Sequence, residues 1–232
     1  MLKEGIKQID ELTPDERETM YVIMQNHYDN IRRDVFFGDL DEKDGTLLVY
    51  DDTGIIQGFS TFLFMETSHL DEKITILFSG DTIVSRKYWG NLSQLKIFVK
   101  LLEHALSKYR TRIFWLLITK GYRTYLILPL FFKNYYPNYK SPTPEYEKAL
   151  IEKVAFHRYG KQTIAHGDIT RLATNKDFLK KEFVEIPEKR LNDPDVRFFL
   201  DKNPSYKTGE ELVCIAEISR NNFSKAYGML KK

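Results

Sequence analysis

The hydrophobic period of this chain changes once, sharply, and that change limits the folds open to it. From residue 46 to residue 88 the apolar residues come in strand-length runs. Segments 46–50, 55–65 and 74–85 are rich in β-branched and aromatic residues, with turn chemistry at Asp51-Asp52-Thr53-Gly54 and at 69–72 between them. After Trp89-Gly90-Asn91, the residues Leu92, Leu95, Val99, Leu102 and Leu106 fall at offsets 0, 3, 7, 10 and 14. That spacing is one face of a helix, widened by Phe98 and Ala105. Ile113-Phe114-Trp115-Leu116-Leu117-Ile118 follows as an unbroken apolar run, which reads as a central strand covered on both faces. The pattern predicts three successive antiparallel strands, a helix, and a buried strand.

Other signals flank this block. Thr13 as N-cap, Pro14 at the first helical position and the acids Asp15 and Glu16 predict a helix over 14–29. Residues 38–45 read as a polar loop, and Gly80 marks a break or bulge in the third strand. Segment 122–136 fits either a helix kinked at Pro129 or the second arm of a hairpin, and the helix is favoured. Pro137 and Ser141-Pro142-Thr143-Pro144 divide a core of residues 1–140 from an extension of residues 141–232. The extension reads as helices at 145–158, 175–183, 193–201 and 220–230, a turn at Asn203-Pro204, and a strand at 211–218. The expected class is α/β (α+β), a mixed, mainly antiparallel sheet flanked by helices, with an α-rich C-terminal extension.

Composition removes several classes. At roughly 150 residues per domain, the 232 residues allow one large domain or two small ones. Sixteen Phe, 14 Tyr and 2 Trp are too many for a disordered chain. Cys214 is the only cysteine, so no disulfide framework exists. The start MLKEGIKQIDEL lacks the apolar stretch of a secretory signal. The uncharged apolar-rich run 124–132 falls far short of the ~20 residues that cross a bilayer. A reducing cytoplasm, without membrane attachment, is the expected location.

Charge is segregated along the chain. Residues 1–81 hold 7 Lys/Arg against 18 Asp/Glu, whereas residues 82–144 hold 11 Lys/Arg against the single acid Glu103. Residues 145–232 hold 17 against 14. The basic segment either packs against the acidic one or presents a field to an anion such as a cofactor phosphate, a nucleic acid or an acidic lipid. Within it, residues 85–93 read as strand, short loop and helix start, where free backbone N–H groups and the dipole favour an anion. Arg86, Lys87, Lys96 and Lys100 surround that turn, and Gly90 permits close backbone approach. This placement favours a phosphate-bearing ligand.

The remaining candidates are weaker. His27, His69, His104, His157 and His166 show no ligand spacing and no neighbouring Cys, so no metal is expected. Cys214, between Val213 and Ile215, reads as inert core. Tyr135, Tyr136 and Tyr139 beside Lys133 and Lys140 could stack bases, but a solvated or packed aromatic cluster is the better reading, and nucleic acid is an unfavoured partner.

Over about residues 10–137 the order of these parts resembles the GNAT acyltransferase superfamily. Thr46-Leu47-Leu48-Val49 followed by Gly54-Ile55-Ile56-Gln57-Gly58-Phe59 looks like that family's hairpin. Ile83-Val84-Ser85-Arg86-Lys87-Tyr88-Trp89-Gly90-Asn91-Leu92 looks like its fourth strand entering the pyrophosphate loop, with Lys for Gln/Arg and Leu92 where Gly or Ala is usual. The resemblance implies that the fourth and fifth strands splay apart around acetyl-CoA or another acyl-CoA. Ile83, Val84, Ser85, Arg86, Lys87, Tyr88, Trp89, Gly90, Asn91 and Leu92 would then bind it. It further implies transfer to an amine, with Asp81 on the fourth strand as acid/base. The family's frequent tyrosine acid maps near Phe132, which leaves Tyr125 and Tyr135 as substitutes. The extension would cap the acceptor side or form a homodimer contact. A ligand sensor of the same fold without catalysis is the alternative.

Overall fold

The computed structural model describes residues 2–88, 92–173 and 177–231. Its strands are β1 (Lys3–Gln8), β2 (Gly45–Tyr50), β3 (Ile56–His69), β4 (Glu72–Val84), β5 (Arg112–Thr119), β6 (Thr163–His166), β7 (Ile169–Leu172) and β8 (Glu211–Glu217). They form one sheet in the order β1-β2-β3-β4-β5-β8-β7-β6. Only β4 and β5 run parallel. Every other neighbouring pair is antiparallel.

The helices are α1 (Pro14–His27), α2 (Arg33–Asp41), α3 (Leu92–Lys108), α4 (Tyr122–Tyr125), α5 (Ile127–Phe131), α6 (Glu145–Tyr159), α7 (Lys181–Val184), α8 (Pro194–Lys202) and α9 (Lys225–Leu230). Thr13 caps α1 in a reciprocal box. The Glu16 N–H donates to Thr13 Oγ1 at 3.2 Å, and the Thr13 N–H donates to Glu16 Oε2 at 3.0 Å. The mixed sheet flanked by helices is the expected class.

β5 lies at the centre, as its unbroken apolar run predicts. Ile113, Trp115 and Leu117 pack on one face with α3, α5 and α9 residues. Phe114 and Leu116 pack on the other with Leu150, Ile151, Val154 and Ala155 of α6. A third cluster joins α1 and α2 to β2, β3 and β4 through Met20, Met24, Phe36, Leu48, Phe59 and Ile83.

Several expectations need correction. The extension holds the strand expected at 211–218, here β8, which pairs with β5 from Leu212 to Glu217, but it also adds the unexpected strands β6 and β7 to the main sheet. The helix expected at 175–183 is instead extended at Phe178–Leu179 and helical only over α7, while residues 174–176 lie outside the described residues. Segment 122–136 forms two short helices. Pro129 has no N–H to offer the Tyr125 carbonyl, and the helix breaks at Leu126. The 220–230 helix begins only at Lys225, capped by Ser224.

The close approach of β3 to β4 depends on Gly58. A Cβ at that position would lie 2.6 Å from the Ile83 carbonyl oxygen and 2.9 Å from Val84 Cα, both backbone atoms that cannot rotate away. Gly58→Ala is therefore expected to lower unfolding free energy by about 1–3 kcal/mol in chemical denaturation. A neutral result would mean that the two strands can separate freely there.

Candidate functional site

β4 and β5 pair from Ile74↔Arg112 to Ser79↔Leu117 and then part. The cause is visible on the other edge of β4. In the β3–β4 ladder Ser60 faces Thr82 and Phe62 faces Ser79, so Gly80 and Asp81 oppose the single residue Thr61. This is a bulge, the feature expected near Gly80, and it bends the strand away from its neighbour. A Cβ on Gly80 would meet Thr61 Oγ1 at 2.4 Å and Lys43 Cε at 3.0 Å, so the bulge accepts no side chain there without displacement. Trp115 Nε1 donates to Ser79 Oγ at 2.7 Å on the last paired rungs, holding the strands together up to the fork.

A cavity of about 950 Å³ fills the fork. Ser79 to Val84 line one side, and Leu117 to Thr124 line the other. Leu95, Ile97 and Phe98 of α3 close one end. Tyr28, Asn30, Ile31, Arg32 and Asp39 contribute near α1 and α2, with Tyr159 and Glu211 from the later chain. Residues 177–184 cross between the two sides. Phe178–Leu179 pairs with Tyr28–Asp29, and the Lys180 N–H donates to the His27 carbonyl at 3.0 Å. On the β5 side Lys120 pairs with Asp177, and Arg123 Nη1 donates to the Phe183 carbonyl at 2.9 Å. The Phe183 ring stacks on His27 at 4.8 Å.

Asp81 lines this cavity. Among the described residues no hydrogen bond reaches its carboxylate. Burial, with Asp39 nearby, pushes its pKa up to about 6 against the opposing pull of Lys43 and Lys120. Asp81 is thus a half-buried carboxylate on the cavity wall. Lys43 Nζ is committed to Asp39, bonding its Oδ2 at 2.6 Å and its carbonyl oxygen at 2.9 Å. Tyr28 stands near Asp81 and Glu211, and burial drives its hydroxyl pKa well above the usual value.

The other expected catalytic residues lie elsewhere. Tyr125 is fully buried and donates to the Pro137 carbonyl oxygen at 3.0 Å. Tyr135 is 1% exposed and donates to Asp195 Oδ1 at 2.5 Å. Neither lines the cavity, because both rings pack with Phe199 and Trp115 in the large core cluster. The tyrosines on the cavity wall are Tyr28, Tyr122, Tyr159 and Tyr206, none of which sequence reasoning singled out.

Of the expected cofactor residues, Ile83 and Val84 line the cavity, and Ser85, Arg86, Lys87 and Tyr88 follow directly on β4. Trp89, Gly90 and Asn91 lie outside the described residues. Leu92 opens α3. Arg86, Lys87 and Lys96 are exposed around this turn. Further along the basic segment Lys100 pairs with Glu4, Arg112 with Glu72 and Glu217, and Lys120 with Asp177. Part of the segment's charge is therefore neutralised internally, and part surrounds the strand–helix turn. Among the described residues no cluster of three or more His, Cys, Asp or Glu could hold a metal, and no helix is long and apolar enough to cross a membrane.

Helix, three antiparallel strands, bulge, helix and a fifth strand splayed from the fourth make this a GNAT-like fold. No protein-family model matches the sequence, and no curated protein matches it. Among solved structures the chain is similar to the GNAT family N-acetyltransferase YhbS from Escherichia coli, determined in complex with CoA. That alignment has 17% identity and a TM-score of 0.37, over 52% of this chain and 64% of that one. A probable N-acyltransferase from Enterococcus faecalis aligns at 14% identity and a TM-score of 0.40, over 53% of this chain and 31% of that one. The chain thus spans less than two thirds of each of these two proteins. An IAA acetyltransferase from Bacillus cereus aligns at 8% identity and a TM-score of 0.43, over 94% of this chain and 99% of that one.

The raised pKa of Asp81 makes a stability prediction. The folded protein keeps this proton where the unfolded chain, at the ordinary 3.8, has lost it. Its contribution therefore falls as pH rises from about 4 to about 6 and stays unfavourable above that. Asp81→Asn should remove this slope and, well above pH 6, stabilise the fold by on the order of 2 kcal/mol. Thermal melts across pH check it, and a variant less stable than the parent at high pH contradicts it.

Proposed function

We propose that the chain is an acyl-CoA-dependent N-acyltransferase. The observation that carries this reading is the cavity at the β4–β5 fork, with a half-buried carboxylate on its wall and exposed cations beyond Val84. Past Ser79 no strand pairs with the β5-facing edge of β4, and Gly80, Asp81, Thr82 and Ile83 line the cavity there, where an amide-bearing arm could lie along the strand. Arg86, Lys87 and the start of α3 would hold the phosphates, by charge and by free helix N–H groups. The bound thioester supplies the acyl carbon.

The chain's own residues then have three tasks. Asp81, with a pKa near 6, takes a proton from the incoming ammonium and frees the nitrogen lone pair. A β4 backbone N–H polarises the thioester carbonyl. The C–N bond forms as the C–S bond breaks, and the second nitrogen proton passes to the thiolate. Tyr28, kept protonated by burial and close to Asp81, relays that proton. Holding both reactants in one enclosed space supplies much of the rate.

Calorimetric titration with acetyl-CoA, paired with thiol-release assays over an amine panel, tests this. Wild-type protein should bind acetyl-CoA and release thiol, with an acid limb in kcat/KM near pH 6. Asp81→Asn should keep the binding, lose the limb and lower kcat by ~10²–10⁴-fold. Absence of acetyl-CoA binding, or an unchanged rate in Asp81→Asn, contradicts the proposal.

A further inference from the structure

Lys43 carries its charge into the interior of the protein, and its surroundings lead back to Asp81. The Lys43 side chain has no exposed surface. Its Nζ donates to Asp39 Oδ2 at 2.6 Å and to the Asp39 carbonyl oxygen at 2.9 Å, and it stands 5.7 Å from the centre of the Phe78 ring. Val35, Phe36 and Asp39 share one face of α2 at helical spacing and line the cavity together, whereas Lys43 stands behind that wall. The Lys43 arm lies against the β4 bulge, where a Cβ on Gly80 would meet Lys43 Cε at 3.0 Å. Gly80 directly precedes Asp81.

Taking an ammonium out of water is unfavourable unless carboxylates answer it. Asp39 is one such partner, and it has a second cation in Arg158 of α6, at 3.7 Å, which also lies 3.8 Å from Glu42. The groups that act on Asp81 come from four other places. They are Asp39 of α2, Lys43 just after α2, Lys120 at the end of β5 and Glu211 of β8. Tyr28, just after α1, is close enough to feel Asp81 in turn. Asp39 and Glu211 favour the protonated acid, and Lys43 and Lys120 favour the carboxylate, Lys43 the more strongly of the two. Lys120 is itself paired with Asp177 and lies 3.9 Å from Glu211.

We propose that Lys43 is a positioning residue for the base: its arm backs the bulge that presents Asp81, and its charge, set against Asp39, keeps Asp81 able to ionise near neutral pH. The inference rests on the acyltransferase reading, in which Asp81 takes the proton of the amine. Lys43 does not line the cavity, so it acts through Asp81 and Asp39 rather than on a substrate.

Two variants separate charge from packing. Lys43→Met keeps an unbranched arm behind Gly80 and removes its charge, whereas Asp39→Asn keeps the shape of its side chain and removes the opposing charge. The acid limb of kcat/KM for acetyl-CoA-dependent thiol release should move up by at least about half a pH unit in Lys43→Met, and down by a similar amount in Asp39→Asn. The same opposed shifts should appear in a carboxyl-carbon NMR titration of Asp81, assigned with Asp81→Asn and read without substrate. A purely structural role would lower the rate or the stability of both variants and leave the limb in place. An unmoved midpoint in folded Lys43→Met, or movement of both variants in one direction, overturns the inference. If Lys43→Met does not fold, Asp39→Asn decides alone, and an unmoved or raised Asp81 midpoint there overturns it equally. Wild-type protein that binds no acetyl-CoA overturns the acyltransferase reading and the catalytic role of Lys43 with it, whereas the carboxyl titration shows separately whether Lys43 sets the charge of Asp81.

Discussion

The parting of β4 from β5 is the constraint on which the rest of this molecule depends. Two parallel strands in the middle of a sheet normally stay paired, because each carries buried peptide groups that need partners. Here they stay paired only up to Ser79 and Leu117. The buried Trp115 indole, donating to Ser79, fixes the fork from below, and the extra residue opposite Thr61 turns β4 aside above it. Gly80 and Gly58 are the positions where β4 meets side chains or backbone too closely for a Cβ. A conventional core on both faces of β5 thus supports an opening in which peptide edges and one carboxylate face a cavity.

Electrostatics follows from the same opening. The acidic first third of the chain supplies Asp39 and Asp81 to the chamber, and the basic middle supplies Lys120 at its other wall. Most of the cations near the chamber are absorbed by carboxylates, whereas Arg86, Lys87 and Lys96 remain exposed at the turn into α3. Asp81 stands among these groups with its pKa raised by burial and by Asp39, against the pull of Lys43 and Lys120. Its raised pKa makes its ionisation above pH 6 a cost to stability.

What could be read from sequence was local. Thr13-Pro14 wrote the start of α1, the 3.6-residue spacing wrote α3, and the apolar run at 113–118 wrote a doubly covered β5. Gly80 marks the bulge, and Asp81, which the resemblance places on that strand, lines the cavity beside it. The illegible parts are those decided by distant contacts. β1 is polar and lies at the sheet edge, and α2 is short, contains Gly38 and has no capping side chain. Tyr125 and Tyr135 were chosen for nearness along the chain, but packing against the C-terminal helix α8 buried them. Tyr28, Asp39, Tyr159 and Glu211 come from four separate elements, and no spacing within the sequence joins them. The Val35, Phe36 and Asp39 pattern was available at helical offsets, had the segment after Asn30 been read as a helix.

A structure determined from crystals grown with CoA addresses the central claim most directly. The account predicts an extended pantetheine arm lying along residues 81–84, between β4 and β5, with its diphosphate against Arg86, Lys87 and the first turn of α3. Ordered CoA bound on any other surface, with the fork filled by the chain's own side chains, would contradict it.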